Sequence, residues 1–106
     1  MKVVPDTNNQ YMATKSGKIY SVKRKKFLSQ FGNGHGYRRV HIWKDGEFKR
    51  RPVHNIMADT FLKRVEGKEI VNHKNGDKED NRLSNLEMVS SSENRIHYES
   101  LRKKRA

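Results

Sequence analysis

Apolar positions alternate with polar ones in short runs through the first half of the chain, and the spacing lengthens to three or four residues in two later stretches. Gln10-Tyr11-Met12-Ala13 and Lys18-Ile19-Tyr20-Ser21-Val22 read as two short strands, with turn residues supplied by Thr14-Lys15-Ser16-Gly17. Beyond Lys23-Arg24-Lys25-Lys26 a third short strand is predicted at Phe27-Leu28, and Gly32-Asn33-Gly34-His35-Gly36 reads as a flexible connector. The clearest hairpin joins Tyr37 to Trp43 with Glu47 to Val53 through Lys44-Asp45-Gly46, because Asp and Gly both tolerate the positive φ of a tight reversal. Arg38, Val40 and Ile42 then share one face, and Tyr37, Arg39, His41 and Trp43 the other. Arginine on both faces predicts that at least one of them meets water or nucleic acid.

After Pro52 the period changes. His54 to Leu62 reads as a helix with Ile56, Met57, Phe61 and Leu62 near one side. A short strand is predicted at Glu69 to His73, then a polar stretch from Lys74 to Ser84, then a second strand from Leu86 to Ser90. Ser90 and Glu93 stand in the Ser-x-x-Glu spacing of a capping box, which predicts a helix from about Ser91 to Lys103. Arg102, Lys103, Lys104 and Arg105 suit the negative C-terminal end of that helix. The expected class is α+β, with short antiparallel hairpins, a connecting helix, and a closing strand–loop–strand–helix unit. No internal repeat is evident.

Charge narrows the choice of partner. Lys and Arg number 24 against 12 acidic residues, a formal net charge of +12 and a pI near 10.2. Residues 1–53 carry thirteen of the bases and three of the acids, so a strand-rich, phosphate-gripping region 1–53 is expected beside a more balanced region 54–106, within one folded unit. Lys23, Arg24, Lys25, Lys26, Arg38, Arg39, Lys49, Arg50 and Arg51 are the candidate phosphate contacts. The chain has no cysteine, which excludes a disulfide framework, a thiolate zinc site and a thiol nucleophile. No run approaches the roughly 18 apolar residues of a membrane span. Met1-Lys2-Val3-Val4-Pro5-Asp6 does not continue into a signal-peptide stretch either, so a soluble intracellular protein with no membrane partner is expected. Apolar residues are only 32% of the chain, which predicts a thin core and modest stability.

The chemistry lies in the last third. Asn72 and His73 end the predicted strand, while Asn94 and His97 fall at i and i+3 on one face of the predicted helix. A helix packed across the two strands would let these four side chains converge. Histidine is the usual general base near neutral pH, and amide oxygens are hard ligands suited to Mg²⁺ or Mn²⁺, so the set meets the needs of phosphodiester hydrolysis. Asn75-Gly76-Asp77-Lys78-Glu79-Asp80 lacks the ligand positions and closing glutamate of an EF-hand, which excludes a calcium loop. His54 reads as a capping or core histidine; His35 and His41 read as solvated or DNA-facing.

Val71-Asn72-His73-Lys74-Asn75-Gly76-Asp77, Asp80-Asn81-Arg82-Leu83-Ser84-Asn85-Leu86-Glu87-Met88-Val89 and Glu93-Asn94-Arg95-Ile96-His97 together resemble the HNH, or ββα-metal (His-Me finger), endonucleases of the phage and intron-borne homing type. Tyr11 to Ser21 resembles the strand module that often precedes this nuclease, and Val53 to Phe61 the helix that joins the two. The likeness covers roughly residues 11–98. It implies that His73 is the general base, that Asn85 braces the loop that aims it, and that Asn72 and Asn94 are ligands of one divalent cation. Position 72 is Asp in many relatives, and the neutral amide implies weak metal affinity until a scissile phosphate adds its charge. His97 also matches, as second ligand, phosphate contact or brace. The implied partner is double-stranded DNA, handled by a monomer or weak dimer in the cytoplasm of a bacterial host if the gene is phage-borne. Many members carry a further C-terminal DNA-binding segment, so either loose site specificity or a longer parent chain is expected. Two competing readings remain: a DNA-binding module with the HNH shape but weak or no cleavage, and a basic RNA-binding protein.

Overall fold

The computed structural model describes residues 1–32, 34–63 and 65–105, with 102–105 described by backbone alone. Among them the order is β1 (Lys2–Val3), β2 (Tyr11–Ala13), β3 (Ile19–Ser21), β4 (Lys26–Phe27), β5 (Phe31–Gly32), β6 (Arg38–Lys44), β7 (Glu47–Pro52), α1 (Val53–Phe61), β8 (Ile70–His73), β9 (Leu86–Val89) and α2 (Ser91–Arg105). A single 3₁₀ turn at Leu83–Asn85 leads into β9. All pairings are antiparallel, in sheets ordered β1-β2-β3-β4, β5-β6-β7 and β8-β9.

The β6–β7 hairpin follows its sequence signal. Lys44 pairs with Glu47, leaving Asp45 and Gly46 as a two-residue turn with φ of 53° and 81°, the mirror-image turn that matches strand twist. Val40 and Ile42 point into the core, while His41 and Trp43 face outward. α1 supplies the centre of the core: Val53, Ile56 and Met57 are fully buried and pack with Val4, Tyr11, Ala13 and Ile19 of the first sheet region, Val40 and Ile42 of the second, and Leu86 of the third. The Trp43 backbone N–H also donates to the Tyr11 hydroxyl at 2.9 Å, tying the first two sheets together. The reciprocal capping box is formed at α2: Glu93 N–H donates to Ser90 Oγ at 3.1 Å, and Ser90 N–H to a Glu93 carboxylate oxygen at 3.2 Å. That pair of bonds to Ser90, with Lys68 nearby, lowers the Glu93 pKa.

Several expectations shift. β1 is an added edge strand of two residues, too short to leave a periodic signal. Phe31 and Gly32 form β5 against Arg39 and Arg38, so the glycine-rich connector begins as paired strand; Asn33 lies outside the described residues. The strand expected at Phe27-Leu28 is β4, Lys26–Phe27, one residue earlier. α1 begins at Val53 directly after Pro52, whose extended ψ of 134° ends β7. α2 runs to Arg105, but the side chains of Arg102, Lys103, Lys104 and Arg105 lie outside the described residues.

Candidate active site

β8 delivers Asn72 and His73 at its end, and α2 packs across that strand and brings Asn94 and His97 to the same place. The four side chains line one cavity of about 420 Å³, together with Tyr37, Gly76, Lys78 and neighbours. The convergence that the sequence permits is therefore present. Asn72 and His73 are buried, at 7% and 6% exposure, whereas Asn94 and His97 are half-buried.

His73 is held from behind. Its Nε2 lies 2.8 Å from Oδ1 of buried Asn81, and that oxygen can only accept. In the neutral ring this contact places the proton on Nε2 and leaves the lone pair on Nδ1. The ring also packs edge-on against His54, 5.5 Å between centroids, and His54 in turn lies 5.1 Å from the Tyr37 ring. Burial pushes His54 down to about 4, with the neighbouring His73 adding to the effect, so His54 is neutral at physiological pH.

Asn85 ties together the polar stretch that follows β8. Its Oδ1 accepts from the Asn75 N–H at 3.0 Å, and its Nδ2 donates to Asn75 Oδ1 at 3.0 Å and to the Asp80 carbonyl at 2.9 Å. Its own carbonyl accepts from the Lys74 N–H at 2.8 Å. Asp80 is in turn gripped by Arg82 through two bonds, of 2.8 and 2.7 Å, which hold its carboxyl well below the usual carboxylate range. His97 Nε2 lies 2.8 Å from the Lys74 carbonyl, a bond in which the ring donates and which pins α2 to the same loop. Gly76 permits that approach: at φ +77° a side chain there would meet Leu101 Cδ1 at 2.8 Å.

Three contributors went unread in the sequence. Asn81 is the direct partner of His73, and the loop that carries it follows no periodic pattern. Glu87 accepts from Asn72 Nδ2 at 2.9 Å, because β8–β9 register places residues 72 and 87 opposite one another. Lys78 is a further cation on the cavity wall, with Nζ 4.8 Å from the Tyr37 ring centroid.

The donor chemistry suits a hard divalent cation. Asn72 gives its nitrogen to Glu87, so its oxygen is the atom left for a ligand, and Asn94 stands across the cavity on α2. No cluster of three or more His, Cys, Asp or Glu residues able to hold a metal occurs among the described residues, so an ion here would complete its shell with water and phosphate oxygens.

The basic residues of the first half divide into two groups. Arg38 pairs with Glu79 at 3.2 Å, Arg51 with Asp59 at 2.9 Å and Lys49 with Glu47 at 3.5 Å. Arg39, His41, Trp43, Phe48 and Arg50 lie on the outer face of β6–β7, where cross-strand register pairs His41 with Arg50 and Trp43 with Phe48. Phe31 extends that face, with Arg39 over its ring at 5.0 Å, and Arg24 stands 5.8 Å from the Phe48 centroid. Lys23, Lys25 and Lys26 are exposed beside it. Trp43 and Phe48 remain 42% and 54% exposed, an apolar patch edged with positive charge.

Two strands joined by a long polar loop, a buried histidine at the first strand's end and an Asn/His pair on the following helix define a ββα-metal unit. Residues 51–96 match the HNH endonuclease family. It is 42% identical over 91 residues to an uncharacterized HNH endonuclease of Acanthamoeba polyphaga mimivirus, covering 83% of this chain and 23% of that protein. It is 32% identical over 89 residues to the DNA endonuclease I-HmuI of Bacillus phage SP01, covering 84% of this chain and 51% of that one. A solved structure, described as DNA binding and cleavage by the HNH homing endonuclease I-HmuI, superposes with a TM-score of 0.84 at 31% identity, over 93% of this chain and 57% of that one. The chain spans about half the length, or less, of the curated relatives it matches. No helix among the described residues is long and apolar enough to cross a membrane.

Proposed function

We propose that this chain is a DNA endonuclease that hydrolyses phosphodiester bonds by a one-metal HNH mechanism. The observation that carries the reading is the cavity in which His73, Asn72, Asn94 and His97 meet. His73, its proton fixed on Nε2 by Asn81, takes a proton from the attacking water through Nδ1. Asn72 and Asn94 would hold Mg²⁺ or Mn²⁺ through their amide oxygens. Bound there, the ion supplies positive charge for the scissile phosphate and the leaving 3′ oxygen. Asn85 keeps the loop closed behind the base, His97 holds α2 against that loop, and Lys78, which lines the same cavity, offers a phosphate contact. The expected products carry 5′-phosphate and 3′-hydroxyl ends.

Double-stranded DNA is the proposed partner, with the protein acting as a monomer or weak dimer. Lys23, Arg24, Lys25, Lys26, Arg39 and Arg50 serve as phosphate contacts around the exposed Trp43–Phe48 patch. Arg38, Lys49 and Arg51 stand in internal ion pairs and would have to exchange partners to take part. The name and structure of the I-HmuI relative support both substrate and reaction.

A second reading, a DNA-binding module that does not cut, is favoured by one observation: the two amide ligands carry no charge, and no metal-holding cluster of acids and histidines is found among the described residues. Supercoiled plasmid incubated with Mg²⁺ or Mn²⁺ separates the two. Nicking that stops in EDTA and in His73→Ala, with DNA binding kept, is the outcome for the enzyme. Binding without cleavage in either metal is the outcome for the module.

A further inference from the structure

We propose that Glu87 is a positioning residue for ion binding, one that holds Asn72 with its carbonyl oxygen toward the cavity and lends a carboxylate charge to a ligand pair that has none. The proposal rests on the reading of Asn72 as an ion ligand.

Register comes first. Residues 72 and 87 are directly opposed across β8 and β9, so their side chains stand on one face of the ribbon. The bond itself runs from Asn72 Nδ2 to Glu87 Oε1 at 2.9 Å. An ionised carboxylate accepts and never donates, so only one of the two amide orientations makes this bond. The flipped orientation would set the amide oxygen against a carboxylate oxygen. Asn72 is only 7% exposed, so water is poorly placed to replace a lost bond. Glu87 thereby determines which atom of Asn72 is available to a cation.

Location sets the second part of the role. Asn72, His73 and Asn94 line the cavity, and Glu87 is not part of that wall. Its carboxylate therefore acts through Asn72 rather than as a ligand of its own. Outer partners of this kind orient a ligand and raise its basicity, and their loss typically weakens metal binding by about 10- to 100-fold. A negative charge one hydrogen bond behind a neutral amide also draws a dication toward it, an attraction that partial burial strengthens.

The test is a titration of the full chain with Mn²⁺, alone and bound to a DNA duplex with a non-hydrolysable linkage, followed by the EPR signal of the free ion. Thermal melting of each variant reports the fold. Glu87→Gln keeps the shape, removes the charge and leaves the amide orientation undetermined; Mn²⁺ binding is expected to weaken about tenfold or more. The double variant Asn72→Asp/Glu87→Gln reverses the polarity of the pair, with the new amide donating to the new carboxylate, and binding is expected to return at least to the wild-type level. Unchanged Mn²⁺ affinity in Glu87→Gln overturns the proposal, whether or not melting shifts. So does a folded double variant that binds as weakly as Glu87→Gln. A wild-type chain that neither binds Mn²⁺ nor nicks plasmid defeats the nuclease reading and this inference together. A wild type that does both, beside an unaffected Glu87→Gln, defeats this inference alone.

Discussion

Nε2 of His73 and Oδ1 of Asn81 are 2.8 Å apart, with both side chains at or below 6% exposure. The contact suits a neutral ring with its proton on Nε2, the form that the proposed mechanism uses as a base, and Asn81 sits in a loop rather than on a strand or helix. In Asn81→Ala the imidazole loses the acceptor that fixes its proton and its angle. Single-turnover nicking should fall by roughly 10²-fold, the scale of a misplaced reacting group. DNA affinity from a gel-shift titration should stay within about twofold, since Asn81 is buried. An equal loss in binding and turnover would refute the positioning role.

Gly17 reaches the same loop from the first sheet. At φ +88° its missing Cβ would fall 2.7 Å from the carbonyl oxygen of Asn81, and the Leu83 N–H donates to the Lys15 carbonyl at 2.8 Å alongside. Gly17→Ala combines a strained backbone with a clash against main chain, which cannot swing away. A loss of about 1–3 kcal/mol is expected, read as a lowered denaturation midpoint. Gly34→Ala, which meets nothing within 4 Å although its φ is also positive at +86°, isolates the strain and should cost less.

His54 gives the fold a pH dependence of defined sign. Burial, and secondarily His73, bring its pKa down to about 4, and its buried Nδ1 has no hydrogen-bond partner. The unfolded chain takes up a proton near pH 6.5 that the folded chain refuses until about pH 4. Stability from this group is therefore intact above about pH 6.5, declines as pH falls and stops declining below about pH 4. His54→Phe keeps the ring packing against Tyr37 and His73 and removes the titration. Melting midpoints collected from pH 8 to pH 4 should fall less steeply in that variant; parallel curves would rule the assignment out.

Salt dependence separates the two groups of arginine. Arg39 and Arg50 lie on the exposed aromatic face, whereas Arg51 is bonded to Asp59 at 2.9 Å. Replacing Arg39 or Arg50 with Ala should weaken DNA binding and reduce the slope of log K against log salt by about 1 each. Arg51→Ala should leave that slope unchanged and lower thermal stability. Identical slopes for all three would refute the division.

What the chain announced was whatever depends on near neighbours. The Asp45-Gly46 reversal, the Ser90–Glu93 capping box and the shared face of Val40 and Ile42 are set within a few residues, and the structure has them in place; that this face is the buried one was left open by arginine on both sides. The meeting of Asn72 and His73 with Asn94 and His97 was legible only as a possibility opened by spacing and made specific by family resemblance. Asn81 and Glu87 escaped because their roles are fixed by loop conformation and by strand register, and neither leaves a periodic trace. The ion pairs of Arg38 and Arg51 were hidden for the same reason, since Glu79 and Asp59 lie far from any pattern that would match them.

α1 carries one last consequence. Ile56 and Met57 have no exposed surface because strands from all three sheets close over the helix. A fragment cut at residue 54 would bring those side chains into water together with the underside of Leu86, the residue opposite His73. Anyone transplanting residues 54–105 into another protein would have to carry their roof along, and a hybrid lacking Val4, Ala13 and Ile19 should precipitate before any chemistry could be assayed.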